Sequence, residues 1–253
     1  MIGGDPVEVA YQTAIGKKRT ENQDYVSVFR NQADQQLAII ADGIGGNRGG
    51  DVASAMAVSH IGFLFEATKF DEYQDVEKWL RKNVQDENNS IIEKSHQYDD
   101  LQGMGTTIAL TVLLKKRMIF ANIGDSRGYL LRDFELHQIT EDHSLVNELV
   151  KRGELSKKEA INHPQKNVII RTLGISSDAD LDTYTLPLEP GDQILLCTDG
   201  LTNMVSDADI QKTLLQNISA TEKCQQLVDQ ANTAGGLDNI TVLIYQDDEE
   251  VTN

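Results

Sequence analysis

The chain has 253 residues, 40% hydrophobic and 25% charged, an ordinary globular usage that excludes a disordered chain and allows a large core without disulfides. Lys and Arg number 23 against 40 Asp and Glu, a net charge of −17 that repels phosphate backbones and anionic membranes and argues against nucleic-acid binding. No apolar run approaches the ~20 residues of a membrane span, the amino end lacks a signal-peptide pattern, and two cysteines without a Cys-x-x-Cys pair exclude a disulfide framework or a zinc site, so the reading is a soluble protein of a reducing cytoplasm.

In chain order, residues 7–15 alternate Val7, Val9, Tyr11, Thr13 and Ile15 with more polar neighbours, as a strand with one buried face requires. Short apolar runs bounded by Gly, Asn and Asp predict further strands at 25–29, 37–41, 107–114, 118–123, 128–132, 193–198 and 240–245. Residues 51–67 are Ala-rich and apolar on most sides, which predicts a buried helix. In a second helical stretch Val76, Leu80, Val84 and Ile91 recur at three-to-four spacing and its multiples, with Trp79 and Ile92 beside them. Ser156 with Glu159, and Ser219 with Glu222, fit capping boxes. The first of these helices closes at Asn162-His163-Pro164 and the second at Gly235-Gly236.

Residues 140–174 are polar and short on strand pattern, and read as a mobile insert beside whatever the protein binds. Strands outnumber helices and often follow one another directly, which disfavours a βαβ repeat. The expected class is α+β: two mostly antiparallel β-sheets in a central sandwich flanked by α-helices, with a helical flap insert. With no repeat and no Pro-rich linker, residues 1–246 read as one domain, 140–174 as its flap and 247–253 as a solvated acidic tail. Cys197, inside the apolar run 193–197, reads as a buried reduced thiol.

The informative pattern is where aspartates fall. Apolar runs end in Asp42-Gly43, Asp125-Ser126 and Asp199-Gly200, while Asp238-Asn239 and Asn22-Gln23-Asp24 open others. Any one of these is a common turn former. Five at the tips of buried strands are different, because an unpaired carboxylate beside apolar chain is expensive and converging carboxylates repel unless cations hold them ionised. Oxygen ligands without nearby Cys or His favour Mg²⁺, Mn²⁺ or Ca²⁺, and no EF-hand loop is present to favour a calcium sensor. Two bridged divalent ions about 3.5–4 Å apart activate water and clamp phosphoryl oxygens, which points to phosphate-ester hydrolysis.

Two competing chemistries fail on the residues. Gly43-Ile44-Gly45-Gly46-Asn47-Arg48-Gly49-Gly50 follows a strand and opens a helix, yet lacks Gly-Lys-Ser/Thr and misses the G-x-G-x-x-G spacing. Its glycines suit a tight turn that lets the Gly43 carbonyl face a cation. A cysteine-phosphatase loop needs an Arg six positions after the thiol, where Asn203 and Gln230 stand.

Arg19-x-x-Asn22-Gln23-Asp24, Ala41-Asp42-Gly43-x-Gly45-Gly46, Gly105-Thr106-Thr107, Gly124-Asp125-Ser126-Arg127, Thr198-Asp199-Gly200-Leu201-Thr202 and Gly236-Leu237-Asp238-Asn239-Ile240-Thr241 occur in that order. Together they resemble the motif set of the bacterial type-2C, metal-dependent serine/threonine protein phosphatases, over residues 7–245. The resemblance implies a binuclear Mn²⁺ or Mg²⁺ centre at one end of the sandwich. Carried over by position, Asp42 bridges the two ions, Gly43 ligates through its carbonyl, and Asp199 and Asp238 complete the protein ligands. Asp24 holds metal-bound water, Asp125 serves a third, weaker ion, and Arg19 grips the substrate phosphate. Ile44, Asn47 and Asn203 depart from the family pattern: Ile44 stands where eukaryotic relatives carry a His, and Asn203 where several relatives carry an Asp that supports the third ion. His143, in Asp142-His143-Ser144, opens the insert and reads as a structural histidine rather than a catalytic one.

The expected activity is hydrolysis of phosphoserine and phosphothreonine by direct attack of a metal-bridging water or hydroxide, without a phosphoenzyme. The resemblance implies phosphorylated proteins as partners, a cognate serine/threonine kinase among them, and a monomer acting in cytoplasmic signalling. The alternatives are a non-enzymatic regulator that keeps the fold, and a phosphatase dedicated to one phosphorylated anti-sigma-antagonist protein. A nucleotide-binding enzyme is more distant.

Overall fold

The computed structural model describes residues 7–45, 49–161 and 163–247, so Gly46 and Asn47 of the Gly-rich loop, Asn162 and the acidic end 248–253 lie outside the described residues. The chain begins with β1 (Val7–Ala14), β2 (Asp24–Arg30) and β3 (Gln36–Ile44), followed by α1 (Gly50–Glu66) and α2 (Tyr73–Gln97). A 3₁₀ turn at Asp99–Leu101 leads into β4 (Gly105–Thr106), β5 (Ile108–Leu113), β6 (Arg117–Ile123), β7 (Arg127–Arg132) and β8 (Glu135–Gln138). Then come α3 (Leu145–Lys151), α4 (Lys157–Ile161), β9 (Asp182–Pro187), β10 (Gln193–Cys197), α5 (Asp199–Thr202), α6 (Asp207–Leu214), α7 (Ala220–Thr233) and β11 (Ile240–Asp247).

The strands form two sheets, ordered β1-β11-β10-β7-β8 and β2-β3-β5-β6-β9, with β4 joined to β3 and every pairing antiparallel. Side chains alternate across each strand, and here both faces of the inner strands are covered. In β3, Leu37, Ile39 and Ala41 face α1 and α2, while Ala38 and Ile40 face the other sheet. In β10, Leu195 and Cys197 face α5 to α7, and Ile194 and Leu196 face inward between the sheets. The result is four layers, helix–sheet–sheet–helix, with three apolar cores between them. Each fully buried Leu or Ile contributes roughly 1.5–3 kcal/mol, so an inner strand is anchored from both sides.

The α+β sandwich is the expected fold. Val76, Leu80, Val84 and Ile91 of α2 are all fully buried, and Trp79 joins Phe65 and Phe70 in an edge-on aromatic cluster with centroids 5.9–6.2 Å apart. Both capping boxes form. Cys197 and Cys224 are buried free thiols whose acidity is suppressed by burial.

Three expectations are corrected. α1 is not buried all round: Phe63 is 72% exposed and Leu64 is exposed beside it, because sheet and α2 cover only part of its circumference. β8 and β9 are strands that the apolar pattern missed, since both are half-exposed edge strands. Asp247 belongs to β11 rather than to the tail, paired with Val7 of β1.

Candidate metal centre

Antiparallel pairing brings the aspartate-bearing tips to one end of the sandwich. Asp24 opens β2 directly opposite Asp42 near the end of β3. Asp125 lies in the turn from β6 to β7, Asp199 follows β10, and Asp238 precedes β11, which pairs with β10. Each of Asp24, Asp42, Asp125 and Asp199 feels the charge of at least one other member of the set.

Each tip is fixed by neighbouring strands. Both the Thr198 and Thr241 hydroxyls donate to Asp24 Oδ2, at 3.0 and 2.6 Å. The Asp42 N–H donates to Thr107 Oγ1 at 3.0 Å, and its carbonyl accepts from the Thr106 hydroxyl at 2.9 Å and the Thr107 N–H at 2.9 Å. Thr107 is tied in turn to the Ser126 hydroxyl, 2.8 Å away, beside Asp125. At Gly43 a side chain would overlap the Gly50 carbonyl, so only glycine lets β3 and the start of α1 approach so closely. Gly16, at φ +80, has no room for a Cβ beside the Asp238 carbonyl and bends the loop that carries Arg19.

The electrostatics are those of carboxylates lacking counter-charge. Asp24, 6% exposed, is raised to about 7 by burial and by Asp199 and Asp238, against the pull of its two threonine hydroxyls. Asp42 is partly exposed, yet desolvation, followed by the charges of Asp24, Asp199, Asp125 and Asp238, holds it well above the ordinary carboxylate range. Asp125, 8% exposed, is raised to about 8 by burial and then by Asp199 and Asp142. Asp199 is raised to about 6 by burial and Asp238, while bonds from Asp42 and Asn203 lower it.

Three oxygens in this set, Asp24 Oδ1, Asp125 Oδ1 and Asp199 Oδ1, are buried without a hydrogen-bond partner. Buried acceptors are ordinarily satisfied, and clustered orphan carboxylate oxygens fit hard divalent cations. Among the described residues no three acidic, His or Cys side chains are gathered closely enough to hold a metal ion. Two of the carboxylates are engaged elsewhere: Asp238 accepts from Arg19 Nη2 at 2.8 Å and from the Asn239 N–H at 2.8 Å, and Asp199 Oδ2 accepts from Asn203 Nδ2 at 2.9 Å. The donor set therefore fits such ions in chemistry and in unmet bonding capacity.

Arg19 reaches the site from its half-exposed loop through that bond to Asp238. His143 does not line it as an acid or base. The ring is 4% exposed, accepts the Gly124 N–H at Nδ1 (3.1 Å) and carries its proton on Nε2 toward Asp182 Oδ2 (3.0 Å). Burial lowers its pKa, keeping it neutral, and it braces the flap root against the Asp125 turn. Thr198 and Thr241 are the functional residues that strand-tip reasoning passed over. The available signal was a threonine next to Asp199 and another three residues after Asp238.

The family described as Protein phosphatase 2C matches residues 13–234. The chain is 44% identical over 237 residues to the serine/threonine phosphatase stp of Listeria welshimeri, covering 93% of this chain and 94% of the relative. Among solved structures it is similar to the S. agalactiae serine/threonine phosphatase, at 43% identity and a TM-score of 0.91, over 95% of this chain and 99% of that one. It is also similar to the catalytic domain of the serine threonine protein phosphatase PstP in complex with 2 manganese ions, at 32% identity and a TM-score of 0.83, over 95% and 97% of the two chains.

Proposed function

The chain belongs to the protein phosphatase 2C family and is a serine/threonine protein phosphatase, and from that footing we propose how its residues divide the work. Asp42, the Gly43 carbonyl, Asp199 and Asp238 would hold a pair of divalent cations, Mn²⁺ or Mg²⁺. When bound, the pair supplies a nucleophile from water at neutral pH and neutralises charge on the phosphoryl oxygens. Asp24, pinned through Oδ2, turns its unbonded Oδ1 toward the attacking water and orients it. Arg19, at the mouth, exchanges Asp238 for the substrate phosphate and positions it. Asp125 takes a third, weaker cation; Asn203 bonds to Asp199 and adds no negative charge there.

The observation that carries this reading is the trio of buried, unpartnered Oδ1 atoms on Asp24, Asp125 and Asp199. A protein kept only as a non-catalytic regulator has no use for so costly a cluster, and that alternative is not favoured. We further read residues 1–247 as one catalytic unit with residues 140–174 as its flap, monomeric and cytoplasmic, acting in signalling on phosphoproteins that include a cognate kinase. Among the described residues no helix is long and apolar enough to cross a membrane. The test is chelator-stripped protein against a phosphothreonine peptide: turnover requires added Mn²⁺, and Asp199→Asn abolishes it. Turnover that persists in strong chelator contradicts the reading.

A further inference from the structure

A cleft of about 760 Å³ opens from Asp125 and Asp199 and runs outward beneath α3 and α4, within the size range of ligand-binding sites. Its floor carries paired charges. Arg127 turns Nε and Nη2 to Asp142, with three contacts of 2.7–3.1 Å, and Nη1 to the Tyr129 hydroxyl. Glu141 is paired with Lys151. What the cleft offers a ligand is therefore an apolar middle and a cationic outer edge. Val146 and Val205 line the middle as buried side chains, with Val150 beside them. Ile161, at the end of α4, is 67% exposed although it borders this wall. Lys157 and Lys166 stand exposed on the flap side and have no ion-pair partner among the described residues.

Such an edge is unusual in a chain of net charge −17. The adjoining segment of the substrate polypeptide is the occupant these features suit, because the cleft is continuous with the phosphoryl site and the lysines at its outer edge are complementary to carboxylates. We propose, resting on the phosphatase reading above, that the substrate chain runs outward from its phosphoresidue beneath the flap. An aliphatic side chain then sits on Val146, Val150, Val205 and Ile161, and an acidic one on Lys157 and Lys166. The cleft thereby selects phosphoproteins whose phosphothreonine or phosphoserine is flanked on one side by an aliphatic and then an acidic residue.

The test compares the Mn²⁺-loaded wild type with the Lys157→Glu/Lys166→Glu variant on p-nitrophenyl phosphate and on matched phosphothreonine peptides. The peptides carry Glu or Lys at the outer flanking position, on either side, and Val or Asn at the inner one. Wild type should prefer the Val–Glu peptide. The variant should lose about tenfold in kcat/KM on it and gain on the Lys peptide, with p-nitrophenyl phosphate turnover unchanged. The proposal is overturned if the wild type shows no preference, if the variant keeps the wild-type preference, or if p-nitrophenyl phosphate turnover falls with the peptides. A wild type inert toward every substrate would instead sink the phosphatase reading itself.

Discussion

The carboxylate cluster and the flap meet at the same cleft but are built differently. Asp24 and Asp42 are held by hydroxyls and backbone groups from β4, the loop before β5, the end of β10 and β11, inside strands anchored on both faces. The flap touches the sandwich chiefly at its roots. The base of the flap is closed on itself by the Ser144–Ile169 bridge and the Ile170 N–H to His143 carbonyl bond, and it is joined to the sandwich by the Thr106–Leu173 bridge and by the His143 ring against Gly124 and Asp182. Beyond that base Ile161 and Val168 are exposed, while Val146 on the inner side is buried. Chemistry sits on the rigid part, where sub-ångström placement of charge matters. Selection sits on the part that can change without disturbing it.

The contrast can be broken first at the centre. Asp42→Asn should lower peptide and p-nitrophenyl phosphate turnover alike, by about 10³-fold or more, as loss of a central ligand of a catalytic cation pair does. The same change should leave the metal-free protein as stable as before or more so, since it removes a carboxylate that burial and four like charges disfavour. Steady-state kinetics beside thermal unfolding of stripped protein measures both.

The flap root comes next. His143→Ala leaves the buried Gly124 N–H without its acceptor and should cost about 1–3 kcal/mol in denaturant unfolding. It should also depress peptide turnover more than p-nitrophenyl phosphate turnover. Equal losses on both substrates would mean that the root supports the metal centre alone.

A smaller effect follows from pH. Asp24 at about 7, Asp125 at about 8, Asp199 at about 6 and Asp42, held well above the ordinary carboxylate range by burial, keep protons in the folded, metal-free chain that unfolded aspartates release near pH 4. Folding therefore takes up protons, and stability falls as pH rises from about 4 through 8. The Tm of stripped protein should drop by roughly 5 °C between pH 5 and pH 8, and saturating Mn²⁺ should reverse the drop. A flat profile would mean the carboxylates do not crowd one another.

Much of this was legible in the chain. Strands covered on both faces, such as 37–41 and 193–197, are written as continuous apolar runs, and the Asp at each tip marks where the run meets the site. β8 and β9 were not legible, because edge strands such as Glu135–Gln138 need only one apolar side chain and look like loop. α3 also escaped notice: Ser144 caps it by accepting the Asn147 N–H, with no Glu at the third position to announce a capping box. Thr198 and Thr241 act on Asp24 only because β10 and β11 pair. Their role depends on three segments separated by 174 and 43 positions, a relation no local pattern carries.

The central claim is that these aspartates share a pair of cations. It is tested most directly by calorimetric titration of Mn²⁺ into chelator-stripped protein at pH 7, in two buffers of different ionisation heat. Two equivalents should bind tightly, and the heats should differ between buffers because the pair displaces the proton held by Asp42. No binding, or binding whose heat is the same in both buffers, would contradict it.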